Sequence, residues 1–210
     1  MAKQRHDGIR GSFGNLTARV VRGETIISKK RETPSKRTQK RRRTIGQLKQ
    51  RARFKVASQF ASELKELFNL SFETVGSQIG KCQAISYLTT TAIQGEYPNY
   101  SIDYSKALVA RGRALPAQGA SATLGDDSIL FKWEDNSSSD ATASDQAILV
   151  AWCPQDEWEF YTITGGERRS CEGSLKIAAH KGNEYHTWIS FIKKNGQAAD
   201  SVYTGVLKME

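Results

Sequence analysis

Three histidines, three cysteines and a scatter of acidic residues are where this 210-residue chain could do chemistry, and their spacing withholds most of it. His6, His180 and His186 are too dispersed to set two metal ligands on one side of an element, with neither His-x-Glu nor His-x-x-x-His among them, so structural or surface roles are expected. Cys82, Cys153 and Cys171 are too few for a disulfide framework or a four-cysteine zinc site. Cys153 and Cys171 flank an expected strand pair and are candidates for a bridge, but the odd total favours reduced core thiols. Gly11-Ser-Phe-Gly14 and Gly165-Gly166 lack the following Lys-Ser/Thr of a phosphate loop and read as turns. Asp126, Asp127, Asp135 and Asp140 lack the twelve-residue loop with Gly and a terminal Glu that calcium needs. No Gly-x-Ser-x-Gly occurs, so no catalytic residue, metal site or cofactor is assigned, and a non-enzymatic protein is expected.

The residues that do point to a partner are cations. Lys29, Lys30, Arg31, Lys36, Arg37, Lys40, Arg41, Arg42 and Arg43 put nine Lys and Arg into fifteen residues with no apolar side chain, and Lys49, Arg51 and Arg53 follow. The whole chain carries a net charge of +9. Residues 1–55 hold 18 Lys and Arg against 3 Asp and Glu, while the remainder holds 13 against 19. A basic arm on an acidic body suits a polyanion partner, because Lys and Arg that neutralise phosphates release condensed counterions. With no helix-turn-helix, zinc finger or RNP pattern, non-sequence-specific nucleic-acid contact is expected, or contact with an acidic protein surface.

The elements that must position these groups follow from periodicity. Leu16–Val21 and Thr25–Ser28 are β-prone runs joined by Arg22-Gly23-Glu24, a small hairpin that needs a neighbouring surface to persist. Thr44-Ile-Gly-Gln47 has capping-box form, and Leu48, Ala52, Val56, Phe60, Leu64 and Phe68 recur every four residues behind it, which predicts a helix with an apolar stripe. A second helix is expected from about Ser77 to Ile93, with Ala84, Ile85, Leu88 and Ala92 as its stripe, and the two suit a hairpin. From Tyr104 the period becomes two. Strands are expected at 107–111, 121–124, 129–133, 147–153, 157–163, 174–178, 185–193 and 201–208, the spacing of an antiparallel immunoglobulin-like β-sandwich. Trp133, Trp152, Trp158, Trp188, Phe160, Tyr161, Tyr185 and Phe191 are expected as its core. The fold is therefore α+β: a basic arm with a hairpin at 1–43, a helical hairpin at 44–98 and a sandwich at 99–210.

Gly11-Ser-Phe-Gly-Asn15, Arg19, Gly23, Gln47, Arg51, Arg53-Phe54, Gly95-Glu-Tyr-Pro98, Ile102-Asp-Tyr104, Arg111-Gly112, Phe131-x-Trp133, Asp145 and Ser201-Val-Tyr203-Thr-Gly205 resemble a family of unknown function from Bacteroidota. The resemblance covers nearly the whole chain, and Gly-x-Tyr-Pro with Ile-Asp-Tyr is its most specific part. It implies the two-part architecture and a bacterial or bacteriophage source, and it brings no catalytic residue.

No run approaches eighteen apolar residues and the N-terminus has no apolar stretch, so neither a spanning helix nor a Sec signal is expected. The expected address is the cytoplasm or the inside of a particle assembled there. A structural or assembly protein, such as a phage-like virion component, is the reading these features favour. An Ig-like protein-binding or adhesion module without nucleic-acid contact is the alternative.

Overall fold

The computed structural model describes residues 3–5, 8–21, 24–30, 43–72, 79–125, 127–178 and 180–209. Two compact units divide the chain, Met1–Ile45 and Gly46–Glu210. In the first, the expected hairpin is present as β3 (Leu16–Val21) and β4 (Glu24–Lys29), and β1 (Lys3–Arg5) and β2 (Gly8–Phe13) extend it to an antiparallel sheet in the order β1-β2-β3-β4. The register pairs Phe13 with Leu16, Gly11 with Ala18 and Ala18 with Ile27. Cross-strand partners share a face, so Ile9, Phe13, Leu16, Ala18, Val20, Thr25, Ile27 and Lys29 line one side while Arg10, Ser12, Thr17, Arg19, Val21, Glu24, Ile26 and Ser28 line the other.

The second unit is a sandwich with helices on its outside. β7 (Gln118–Leu124), β8 (Ser128–Glu134) and β11 (Glu172–Lys176) form a sheet in the order β11-β8-β7. β9 (Gln146–Cys153), β10 (Trp158–Thr162), β12 (Glu184–Ile192) and β13 (Val202–Lys208) form a second in the order β10-β9-β12-β13. This three-on-four arrangement of seven antiparallel strands is the immunoglobulin-like sandwich. Ile129, Phe131 and Trp133 of β8 meet Ala147, Leu149 and Ala151 of β9 and Ile189 and Phe191 of β12 in the core between the sheets.

The run Gln146-Ala-Ile-Leu-Val-Ala-Trp-Cys153 is almost continuously apolar because β9 is covered on both faces. Its other face, Ile148, Val150 and Trp152, joins Trp188 in a second core with the helices. α1 (Ile45–Glu63) contributes Ala57, Phe60 and Ala61, and Leu64 follows it. α2 (Lys65–Ser71) adds Leu67 and Phe68. α3 (Gly80–Tyr87) and a π-helical turn, Leu88–Ala92, add Ala84, Leu88 and Ala92. The stripe is deeper at its C-terminal half than its spacing suggests, since Leu48, Ala52 and Val56 stay half-exposed. α3 starts against α2 so closely that a Cβ on Gly80 would stand 2.2 Å from the Phe68 carbonyl oxygen.

Three expectations are corrected. Residues 107–111 are not a strand: their backbone is held by side chains, by a bridge between Phe72 and Arg111, and by backbone bonds from the Ala107 amide to the Asp103 carbonyl and from the Ser201 amide to the Ala110 carbonyl. The Trp188 indole donates to the Ala107 carbonyl at 2.9 Å, the Ser71 hydroxyl to the Val109 carbonyl at 2.8 Å, and the Val109 amide to Ser201 Oγ at 2.9 Å. These bonds replace the ladder, so an apolar run that reads as strand is buried without one. Residues 93–102, expected as a helix end and a sandwich start, instead make a hairpin of β5 (Ile93–Glu96) and β6 (Asn99–Ile102) around a cis Tyr97-Pro98 bond. Gly95 has φ +87° and a Cβ there would stand 2.5 Å from the Asn99 carbonyl oxygen, which explains the glycine ahead of the turn. Trp158, expected in the core, is 44% exposed, because it is the first residue of an edge strand and packs edge-on with Phe160 and His180 at the rim.

Candidate functional site

Two surfaces carry charge or shape that a partner can use. The first is basic. Met1–Ile45 holds 14 Lys and Arg against 3 Asp and Glu, so the cation excess coincides with a folding unit. Lys29 ends β4 and Lys30 follows it, both exposed, while Arg43 is half-buried ahead of α1. Lys49 and Arg51 are exposed on α1. Arg53 is half-buried, its guanidinium carbon 5.6 Å from the centre of the Tyr100 ring. Arg31, Lys36, Arg37, Lys40, Arg41 and Arg42 lie outside the described residues. The sheet leaves Ile9, Phe13, Leu16 and Ile27 exposed on one face and Val21 and Ile26 on the other.

The second surface is a cleft of about 260 Å³ in the body, between α1, β6 and the β9–β10 turn. Its walls are Phe60, Tyr104 and Trp152: Phe60 meets the Trp152 ring edge-to-face at 5.3 Å and the Tyr104 ring at 5.8 Å. The Trp152 indole N–H donates to Tyr104 Oη at 3.2 Å, which fixes the tyrosine. Glu63 enters from α1 and Glu157 from the turn, and both are exposed. Glu157 adopts φ +54°, a left-handed conformation that costs a glutamate. Burial pushes the Tyr104 hydroxyl above its ordinary range, and the Glu157 charge adds to that rise. No single segment of the sequence announces this cleft, since its walls come from positions 60, 104 and 152.

Behind Tyr104 lies the half-buried His186 ring, stacked at 4.1 Å with 30° between planes, and its Nδ1 stands 2.8 Å from Tyr203 Oη. Burial holds the imidazole below its ordinary range against the opposing pull of Glu184. The unfolded chain then binds more protons than the folded one as pH falls through about 6.5, so stability present above that value is lost below it. The denaturation midpoint is expected to drop between about pH 7.5 and 5.5, and His186→Gln to flatten that window. Asp103, Asp135 and Glu184, whose carboxyls are held low by hydrogen bonds from Lys106, Ser137 and Lys208, lose their contribution only below about pH 4, which separates the two effects.

Cys82, Cys153 and Cys171 are all free thiols, with Cys153 buried and donating to Gln155 Oε1 at 3.4 Å. Among the described residues no three His, Cys, Asp or Glu side chains cluster as metal ligands, and no helix is long and apolar enough to cross a membrane.

Residues 10–205 match the model of a family described as "Family of unknown function (DUF6266)". No curated protein matches the chain. Among solved structures it is similar to the fn3 domain of human collagen alpha-1(XX) chain at 12% identity and a TM-score of 0.35, over 46% of this chain and 85% of that one. The match over nearly the full length places the chain in that family of unknown function.

Proposed function

We propose that this is a non-enzymatic structural or assembly protein whose basic N-terminal unit contacts nucleic acid or another polyanion, as a component of a phage-like particle of bacterial origin. The observation that carries this reading is the coincidence of charge with folding unit: the 14 Lys and Arg of Met1–Ile45 face 3 acidic residues, whereas Gly46–Glu210 holds 17 against 19. A charge excess meant only for solubility has no need to be segregated in this way. The apolar side chains exposed on both faces of the β1–β4 sheet, Ile9, Phe13, Leu16 and Ile27 on one and Val21 and Ile26 on the other, support assembly, since such surface is stabilised when a partner covers it. The interaction is electrostatic and indifferent to base sequence, because phosphate contacts carry no base information.

The test is a binding titration of the full chain with duplex DNA at several salt concentrations. If about four to six cations of the run meet phosphates, log K is expected to fall against log salt with a slope of roughly −4 to −5. Replacing Arg41, Arg42 and Arg43 by alanine is expected to make that slope shallower by up to about three units, equally for all sequences. An absence of affinity at low salt, or an unchanged slope in the variant, overturns the polyanion reading and leaves the Ig-like protein-binding alternative.

A further inference from the structure

We propose that the cleft between α1, β6 and the β9–β10 turn is a receptor for an arginine side chain, and that its occupant comes from the basic run 29–43 of a second copy of this chain. The cleft offers aromatic walls and two carboxylates, Glu63 from the helix and Glu157 from the turn. Aromatic faces attract a cation through the ring quadrupole, and a carboxylate adds a charged hydrogen-bond acceptor. Among the described residues neither glutamate makes a salt bridge within the chain. A volume of about 260 Å³ suits one long side chain and not a strand or helix.

Guanidinium is favoured over ammonium because it is planar, stacks on aromatic rings and meets carboxylates with two parallel hydrogen bonds. Among the described residues arginine already stacks on aromatic rings, with Arg53 over Tyr100 at 5.6 Å, Arg111 over Tyr87 at 5.2 Å and Arg168 over Phe191 at 3.8 Å. Charge complementarity identifies the source. The run 29–43 supplies five arginines from a strongly basic unit, and the cleft sits on a unit whose acidic residues outnumber its basic ones. A run from one copy in the cleft of the next is a head-to-tail contact, which propagates into rings or filaments. The inference stands on the cleft and not on polyanion binding, and the two compete for the same side chains.

Sedimentation velocity on the full chain tests it. At low salt the wild-type chain is expected to self-associate with rising concentration, and high salt to reverse this. Glu63→Gln with Glu157→Gln, which removes the receptor charges, is expected to weaken association at least tenfold while leaving the DNA titration unchanged. Replacing Arg31, Arg37, Arg41, Arg42 and Arg43 by lysine keeps the charge; it is expected to retain DNA affinity and lose association at least tenfold. Mixed in equal amounts, the glutamine and lysine variants are expected to form dimers and no higher species, since one supplies only an intact run and the other only an intact cleft. The proposal is overturned by a wild-type chain that stays monomeric at low salt, by association that survives either set of substitutions, or by a mixture that stays monomeric. A failed DNA titration with these association results intact would remove the polyanion reading alone.

Discussion

Arg168→Ala is expected to destabilise the body by about 3 to 5 kcal/mol, the cost of leaving a buried charge without its partner. Arg168 is fully buried beside the sandwich core. Its guanidinium donates to the Leu115 carbonyl at 3.0 Å, to Asn136 Oδ1 at 2.5 Å and to Asp145 Oδ2 at 3.4 Å, and lies 3.8 Å from the centre of the Phe191 ring. Burial pulls its pKa down, and the Asp145 charge holds against that pull. Its backbone carbonyl also accepts from the Trp133 indole at 2.7 Å, so the residue ties the loop before β11 to β8. Truncation removes the cation, strands the buried Asp145 carboxylate and empties the space over Phe191. Urea denaturation of the single variant checks this, and a loss below about 1 kcal/mol would contradict it. The paired change Arg168→Met with Asp145→Leu is expected to cost less than Arg168→Ala alone, because it removes both charges and refills the volume.

Nothing in the local sequence marks Arg168 as buried: Glu167-Arg-Arg-Ser170 reads as a polar turn, and the partners that bury one of its two arginines stand at positions 115, 136, 145 and 191. The strands were legible for the opposite reason. Ile129-Leu-Phe-Lys-Trp133 alternates because one face of β8 meets the core and the other meets water, and alternation is local information. Where both faces are covered, as in β9, the strand still shows as an apolar run bounded by turns. Residues 107–111 misread as a strand because their burial is accompanied by hydrogen bonds to Trp188, Ser71 and Ser201, residues far away in the chain. The helical stripe was legible as a stripe but not in its depth, since what covers Phe60 and leaves Leu48 half-exposed is a sheet formed later in the chain.

The two candidate surfaces differ in the same way. The basic run is a property of composition and is visible at once, whereas the cleft exists only after α1 has packed on β9 and brought Phe60, Tyr104 and Trp152 together. Several of the residues that carry the family resemblance serve the fold: Gly95 opens the β5–β6 hairpin, Tyr104 stacks on His186, Phe131 and Trp133 fill the sandwich and Asp145 pairs with Arg168. That accounts for a resemblance that names an architecture without naming a reaction.

Leu64→Ala is expected to cost about 2 to 5 kcal/mol and to loosen helices and sandwich together. Leu64 sits in the break between α1 and α2, is fully buried, and belongs to the core that also holds Ile148, Val150, Trp152 and Trp188 of the sheet. The Phe68 amide donates to the Leu64 carbonyl at 2.9 Å, so the backbone there is held and cannot collapse freely into the space left by a truncated side chain. A cavity retained beside the sheet is the costly outcome, and the upper half of the range follows if it stays open. Because the helices contribute one wall of the core and β9 the other, denaturation followed by helical circular dichroism and by tryptophan fluorescence is expected to give coincident transitions, both displaced equally by the substitution. Separate transitions, with the fluorescence change unmoved by Leu64→Ala, would mean that the helices are dispensable to the sandwich and that the cleft they complete with Trp152 can open without unfolding it.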